Sequence, residues 1–585
     1  MTLAVTIVAL GSLLASAGPT DDPATLRALA HGYYEWRDRY DPVASSDRGK
    51  HTWDDRLSDP SMGSVVAARR HVEAVLAEVK ALRTAAWSKD DRIDAILFRA
   101  QLERESFSGR VLKFEETDPQ GYVEECANGI FSLLKKDYAP ARTRALAATA
   151  RLKQVPPYLE EAKKNLTRPV ALYARLAIAA ARGGDDLYLK SLMALAGDLT
   201  PAETKALLTA RDEALAALHG FADWLEKRLP RMAPFVPMGR ARYDEYLRSV
   251  HLVPLDAAQV EMLGRTELNR YRGLEALLSD PALASPDPAR VGHPPENQQA
   301  FLAAYQGRQK EMIDFLKSRR LITLPPYLGP FSIRQLPEAF KPTAPGGFMN
   351  PPGVYDPDPE GFFFIPTYDP RSSNFYIRAA IEDPRPILGH EGIPGHFLQL
   401  SVANHLTDEI RRQHSDNVFV EGWALYTEEM LLRQGLYPAD SAAAGQVLRL
   451  SRYRAARIGV DVNLHTGKWS FEEAVRYFME AGGLDREAAE GEAAGAASTP
   501  LQKIGYMTGK WQLLGLLGRY QERKGKEFRL GAFHDEVISF GGLPVSVLEW
   551  LMLDDPRALQ AAGQSIAGQS KPASRSGAGS SSSGG

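Results

Sequence analysis

Apolar residues recur at helical spacing through most of the first half of the chain. From about Pro23 to Arg320 they repeat at intervals of three and four, the spacing that gives a helix one apolar face. The clearest predicted helices cover 65–87, 92–107, 202–229 and 257–278. Clusters of proline and glycine predict breaks at 117–121, 155–157, 181–184 and 279–296. No strand pattern is visible there, so the first half is predicted to be an α-helical body.

Between Leu324 and Pro386 the pattern changes to proline, glycine and aromatic residues. Prolines at this density cannot lie within helices, so extended chain and turns are predicted. Two short aromatic runs, 361–366 and 374–377, are typical of strands in a small sheet, and Pro366 favours an edge position for the first. Such an edge, beside a catalytic centre, could pair with an extended peptide; a structural hairpin explains the pattern equally well.

Helical spacing returns at Pro386 and continues to Leu559, and a tail rich in glycine and serine follows. At the other end, an apolar run closes with the small residues 15–17, which is typical of a signal peptide cleaved before Gly18. A buried first helix is the alternative. The predicted division is a signal peptide over 1–17, an N-terminal helical half over 18–323, a zinc-binding catalytic half over 324–562, and a disordered tail over 563–585.

Composition limits the partners and the type of metal site. The formal net charge of −3 over 585 residues provides no basic surface for nucleic acid. A single cysteine, Cys126, excludes an intramolecular disulfide and a thiolate-rich metal site, so histidines and carboxylates must hold any metal. We expect a secreted or periplasmic protein with no nucleic-acid partner and no stable membrane insertion after signal removal. The oligomeric state stays open.

A candidate metal site begins at His390-Glu391-Gly392-Ile393-Pro394-Gly395-His396. In the H-E-x-x-H motif, a helix places two imidazoles four residues apart on one face, with the glutamate between them. Here the second imidazole comes six residues after the first, roughly 120° away on an undisturbed helix. Pro394 and Gly395 predict a kink or bulge, which would return His396 to the face of His390.

Glu421 is the candidate for a third metal ligand. The segment from Asn417 predicts a helix in which Glu421 and Glu428 share a stripe with apolar residues, and a buried carboxylate needs a cation. Pairing with an arginine is the alternative for such a glutamate. His405 and His414 are predicted to lie on the solvated faces of a helix over 404–413.

A later helix could complete the site, because one of its faces carries Arg454, Arg457, Asp461 and His465. These residues form either an ordinary ladder of arginine and aspartate or the wall of a cleft. In the second interpretation, Arg457 or Arg454 holds a substrate carboxylate, and His465 stabilises a developing oxyanion.

The start of another predicted helix carries a candidate hydroxyl donor. Thr499, Pro500 and Gln502 together predict a capping box, which would place Tyr506 in the second helical turn. Tyr506 is then either a core tyrosine or a donor to a tetrahedral intermediate.

These motifs resemble a bacterial family known as domain of unknown function 885, through the segments 390–399, 421–426, 457–474 and 500–506. The resemblance implies a zinc peptidase, with a fold similar to thimet oligopeptidase and angiotensin-converting enzyme. That fold is mainly α: a large zincin-type body of many helices, with a deep channel and a small β element near the active site. The resemblance also supports Glu421 as a ligand. The chain departs from the family at Phe397, where a second histidine is common, and at Leu501, where glycine is usual.

The predicted function is zinc-dependent hydrolysis of peptide bonds in small or unfolded peptides. Zn²⁺ would be held by His390, His396 and Glu421, with Glu391 as general base. Tyr506 and His465 would stabilise the oxyanion. Two alternatives stay open, a metal-dependent amidohydrolase acting on a non-peptide or peptidoglycan-derived amide, and a non-catalytic exported binding protein.

Overall fold

The structure is a computed structural model that describes residues 22–278, 295–336, 347–356, 359–372, 374–437 and 442–566. The predicted signal peptide lies outside these residues, as does most of the predicted tail. The described chain is mainly helical with one small sheet, which confirms the predicted fold class. No described helix combines the length and the apolar character that crossing a membrane requires.

The first half of the described chain is built from twelve α-helices. Their bounds are α1 Pro23–Tyr40, α2 Pro42–Asp47, α3 Met62–Ala81, α4 Lys89–Phe107, α5 Phe114–Thr117, α6 Gln120–Leu134, α7 Ala141–Asn165, α8 Ala171–Gly183, α9 Pro201–Arg228, α10 Arg240–Ser249, α11 Ala257–Leu278 and α12 Gln298–Arg319.

The second half adds three strands and then a further series of helices. The strands are β1 Phe331–Gln335, β2 Phe348–Asn350 and β3 Gly361–Ile365. The helices are α13 Phe375–Glu382, α14 Arg385–Glu391, α15 His396–Asn404, α16 Glu409–Gln413, α17 Asn417–Arg433, α18 Ala442–Thr466, α19 Phe471–Tyr477, α20 Arg486–Ser498, α21 Gly505–Lys524, α22 Leu530–Ser539, α23 Val545–Leu553 and α24 Arg557–Ala561.

Local sequence signals set several helix ends, although one predicted break is wrong. At the start of α9, Thr200 and Glu203 form a reciprocal capping box, which satisfies two free backbone N–H groups. The break predicted at 155–157 does not occur, because α7 continues through Pro156 and Pro157. Buried side chains on both sides of the prolines, such as Leu152 and Leu159, anchor both parts of α7 in the same core.

The sheet has the order β1-β3-β2, with β3 parallel to β1 and antiparallel to β2. The strand predicted at 361–366 is present, but its edge position is wrong, since β3 is central. Pro366 follows the last residue of β3 and therefore removes no ladder hydrogen bond. The second predicted strand, 374–377, is also wrong. Asn374 accepts hydrogen bonds from two backbone N–H groups and caps α13 instead.

The largest hydrophobic core contains residues from both halves of the chain, from Leu26 and Phe98 to Trp423 and Leu559. A second core lies within the first half and joins α6, α7 and α9. The predicted division at residues 323 and 324 stays a prediction. The shared core places the helices of the predicted metal site, α14, α15 and α17, in the interior of the protein.

Candidate metal centre

The H-E-G-I-P-G-H segment is two helices joined by a four-residue turn, rather than one kinked helix. His390 lies in the last turn of α14, and His396 begins α15. The turn folds back on α14 so closely that a Cβ at Gly395 would lie 1.9 Å from the His390 carbonyl oxygen. Glycine is therefore required at position 395, and this approach brings the two imidazoles together, with ring centroids 4.7 Å apart.

Helix α17 holds the turn in place. The Trp423 indole Nε1 donates to the Pro394 carbonyl oxygen at 2.9 Å, and the Thr427 hydroxyl donates to the Gly389 carbonyl oxygen at 3.0 Å. Both side chains are fully buried. These bonds satisfy backbone groups of α14 and the turn that would otherwise be buried without partners.

Helices α17 and α21 approach each other at two glycines. A Cβ at Gly422 would lie 2.5 Å from the Gly509 Cα, and a Cβ at Gly509 would lie 1.8 Å from the Val418 carbonyl oxygen. Only glycines allow backbones this close. The contact brings Glu421 of α17 beside Tyr506 of α21, with Gln502 between them.

His390, His396 and Glu421 converge on one point, and their ligand atoms all lie within 4.8 Å of one another. Glu421 Oε2 is 3.5 Å from His390 Nε2 and 3.3 Å from His396 Nε2. Ligands of a tetrahedral zinc at about 2.1 Å are about 3.4 Å apart, so these two spacings fit. Glu421 Oε2 is buried and forms no hydrogen bond with the described residues, as expected of an atom that faces a cation. The three residues therefore fit a zinc ion.

Glu428 orients the first imidazole. Its Oε1 lies 2.8 Å from His390 Nδ1, and because a carboxylate only accepts, Nδ1 donates and Nε2 is the nitrogen that a metal would bind in place of a proton. This carboxylate–histidine arrangement recurs in zinc sites. The sequence placed Glu428 on the stripe of Glu421 without giving it this role. Its position two helical turns after Glu421 was the available signal.

The charges of the cluster also favour a cation. Burial disfavours the His390 imidazolium, but the carboxylates of Glu421 and Glu428 outweigh burial and raise the pKa of His390 to about 9. Burial raises the pKa of Glu421, but the two imidazoles hold that pKa well below its usual range. The cluster thus stabilises positive charge between its members, which a bound cation would supply.

A cavity of about 320 Å³ opens beside the cluster, and His390, half-buried Glu391 and Tyr506 line it. The Tyr506 hydroxyl accepts a hydrogen bond from Gln502 Nε2 at 3.2 Å. Burial raises the pKa of Tyr506, so its hydroxyl remains a donor at neutral pH. Phe363 of β3 forms part of the wall, so the small sheet borders the cavity, as predicted.

Both predicted substrate-binding arginines line the cavity, but they differ in their hydrogen bonds to carboxylates. Arg457 Nη2 donates to Glu492 Oε1 at 2.9 Å, and its Nε donates to Glu492 Oε2 at 3.1 Å. Its charge is thereby matched. Arg454 has no hydrogen-bonded carboxylate among the described residues, and Glu428 lies 3.6 Å from its Nη2.

The structure does not bring His465 to the site, so its predicted oxyanion role is wrong. His465 lies about 16 Å further along α18 than Arg454, and it is not among the described residues that line the cavity. Its Nε2 donates to the Ala496 carbonyl oxygen at 2.8 Å, and its ring packs near Phe235 and Tyr243. His465 thus ties α18 to α20.

Two of the other predictions on histidines are also wrong. Residues 404–413 do not form one helix, because α15 ends at Asn404 and α16 begins at Glu409. His414 is buried rather than solvated, and burial lowers its pKa to about 4. His405 is exposed, as predicted, and its ring stacks on Tyr327.

The predicted capping box at Thr499 does not form. Thr499 ends α20, and its hydroxyl donates back to the Gly495 carbonyl oxygen at 2.6 Å. Helix α21 begins later, so Tyr506 lies in its first turn. Gln502 is free of capping and donates instead to Glu421 Oε1 at 3.4 Å and to Tyr506, four residues away.

The two departures from the family pattern lie outside the ligand set. Phe397 is fully buried, stacks on Phe331 with ring centroids 4.8 Å apart, and packs against Gly361, so it fastens α15 to the sheet. Leu501 is fully buried with φ of 63°, a left-handed conformation that glycine adopts more readily.

The sequence profile of one family, described as "Bacterial protein of unknown function (DUF885)", matches residues 42–552. Among solved structures, two bacterial proteins each titled "putative lipoprotein" share the fold. The one from Shewanella oneidensis is 23% identical with a TM-score of 0.72, over 90% of this chain and 99% of that one. The one from Colwellia psychrerythraea is 18% identical with a TM-score of 0.74, over 92% and 98%. No curated protein is significantly similar.

Proposed function

Because the chain belongs to the bacterial family DUF885, whose function is unknown, we propose its activity from the site: zinc-dependent hydrolysis of peptide bonds. One observation carries the proposal, the convergence of His390, His396 and Glu421 beside a cavity that Glu391 also lines. A zinc ion held there would act as a Lewis acid and lower the pKa of water to about 7.

Glu391 follows His390 directly in the last turn of α14, and it is half-buried in the cavity wall. From that position its carboxylate can accept a proton from the attacking water and return it to the leaving amine. Tyr506 keeps its hydroxyl proton and can donate it in a hydrogen bond to the developing oxyanion. Glu428 holds the His390 ring in the orientation in which Nε2 would bind the ion.

We also propose that the protein is exported. The apolar start of the sequence and its small residues before Gly18 support this, and two relatives by fold carry lipoprotein titles. An exported peptidase would meet small peptides outside the cytoplasm. Fractionation of cells that express the full chain would test the location, and recovery in the cytoplasm alone would contradict it.

The test of the activity compares metal content with peptide cleavage. The wild-type protein should contain one zinc per chain by elemental mass spectrometry and should cleave members of a peptide library. The E391Q variant should keep its zinc while cleavage falls about 10²–10⁴-fold. Near-normal cleavage by E391Q, or a wild-type protein without zinc, would contradict the proposed zinc-dependent peptidase activity.

The matched control is Glu382→Gln in the neighbouring helix α13. Glu382 is partly exposed and pairs with Arg449 at the surface. Such surface pairs contribute at most about 1 kcal/mol to stability, so E382Q should retain both zinc and activity.

A further inference from the structure

Arg454 is a buried arginine in the cavity wall with unused hydrogen-bond donors. Its side chain is 6% exposed, and its Nε and Nη1 have no hydrogen-bond partner among the described residues. The remaining nitrogen, Nη2, lies 3.6 Å from Glu428 Oε1, an oxygen that already accepts from His390. Because a buried guanidinium with unpaired donors is costly, this position favours an anionic ligand in the cavity.

Arg457 lies one helical turn further along α18 and, unlike Arg454, is hydrogen-bonded to a carboxylate among the described residues. Two nitrogens of Arg457 donate to the two oxygens of Glu492, and Nη2 also donates to the Tyr453 hydroxyl. Glu492 therefore neutralises the charge of Arg457 within the protein. Among the described residues of the cavity wall, Arg454 is therefore the cation without a hydrogen-bonded carboxylate.

The rest of the cavity wall suits the end of a peptide. Gln446 lies two turns before Arg454 on α18, is fully buried, and has no hydrogen-bond partner for its amide oxygen or nitrogen among the described residues. An amide can pair with both the N–H and the C=O of one peptide group. Phe363, Ile387 and Leu450 supply apolar surface for a side chain.

We propose that Arg454 binds the free C-terminal carboxylate of the substrate, so that the enzyme removes short C-terminal fragments. The proposal rests on the peptidase function proposed above. Glu428 Oε1 lies 3.6 Å from the guanidinium and 2.8 Å from His390 Nδ1, so the two groups are close to each other. Extended chain advances about 3.3 Å per residue, so a carboxylate at Arg454 places the scissile bond within about three residues of the C-terminus. A planar guanidinium binds a carboxylate through paired hydrogen bonds.

The first test uses pairs of peptides that differ only in a free or an amidated C-terminus. Wild-type enzyme should cleave the free acid about 10- to 100-fold more efficiently than the amide, in kcat/KM. Arg454→Gln should remove this preference, so that the free acid and the amide are cleaved with equal kcat/KM. Arg454→Lys should restore part of the preference. Arg449→Gln, a surface change on the same helix, is the control and should keep the full preference.

The second test measures binding without turnover, so that it also works if the peptidase function is wrong. In the E391Q protein with zinc in the buffer, calorimetry should show tighter binding of a free-acid tripeptide than of its amide. The added change R454Q should remove that difference. If no peptide is cleaved but this Arg454-dependent preference is present, the peptidase function fails and the carboxylate site stands. Equal binding of acid and amide, or equal cleavage of both by the wild type, overturns the carboxylate site.

Discussion

Replacing Gly395 by alanine is the most direct perturbation of the candidate metal centre. The new Cβ would lie 1.9 Å from the His390 carbonyl oxygen and 2.4 Å from the Gly389 carbonyl oxygen. Contacts of a Cβ below 3.0 Å essentially never occur, and both of these partners are backbone atoms that cannot rotate away. The turn must therefore move by about 1 Å, and His396, the next residue, must move with it. The distance between a zinc ion and each ligand atom can vary by only about 0.2 Å.

Two quantities should change in Gly395→Ala. The zinc affinity should fall about 100-fold or more, because losing a residue that hydrogen-bonds to a ligand already costs 10- to 100-fold and here a ligand itself is displaced. The free energy of unfolding should fall by about 1–3 kcal/mol, the usual cost of overpacking. Competition with a chelating dye measures the first, and denaturant unfolding followed by circular dichroism measures the second.

The same substitution at Gly515 is the matched control. Gly515 lies on an exposed part of α21, and a Cβ there would meet no atom within 4 Å. Gly515→Ala should therefore leave zinc affinity unchanged and raise the free energy of unfolding by about 0.5–1 kcal/mol, because alanine favours a helix. If Gly395→Ala binds zinc as tightly as the wild type and is equally stable, the reasoning about the turn is wrong.

Three further changes test separate parts of the structure. Glu428→Gln should weaken zinc binding about 10- to 100-fold, since an amide orients His390 less well; an unchanged dissociation constant would argue against this role. Gly509→Ala should lower the free energy of unfolding by about 2–3 kcal/mol, because its Cβ would meet the Val418 carbonyl oxygen; denaturant unfolding at wild-type stability would contradict it. Burial lowers the pKa of His534 to about 4, so protonation of the unfolded chain should reduce stability as pH falls from about 6.5 toward 4, by up to about 1.4 kcal/mol per pH unit. His534→Gln should reduce this pH dependence between pH 7 and 5. If the unfolding free energy of the variant changes with pH as in the wild type, His534 is not the group responsible.

Periodicity and local signals predict the elements of this fold whose ends are marked in the sequence. Helix α11 has the bounds predicted from apolar spacing, and α9 differs by one residue at each end. At 374–377 aromatic and β-branched residues favour a strand, but the segment is not one. There the Asn374 side chain caps a helix, and that local bond decides the structure.

The sequence predicts a break between His390 and His396, because Pro394 and Gly395 interrupt a helix, but the convergence of the two imidazoles depends on packing. The partners that finish the site depend on contacts distant in the chain. Glu428 lies 38 residues from the imidazole that it orients. Gln502 lies 81 residues from Glu421. Spacing along one helix cannot reveal such pairs, which explains why Gln502 was predicted to cap a helix.

Helix α17 supplies the candidate carboxylate ligand and the carboxylate that orients His390, and it also constrains the turn. Glu421 and Glu428 come from α17, and so does Trp423, whose indole donates to the Pro394 carbonyl oxygen. The turn therefore reaches its geometry only when α14, α15 and α17 have packed together. A spacing of six residues between histidines can then serve a metal, because tertiary packing replaces the single helical face on which the four-residue spacing depends. It follows that zinc affinity should respond to changes in α17 that touch no ligand, with Trp423 the residue whose loss would release the turn.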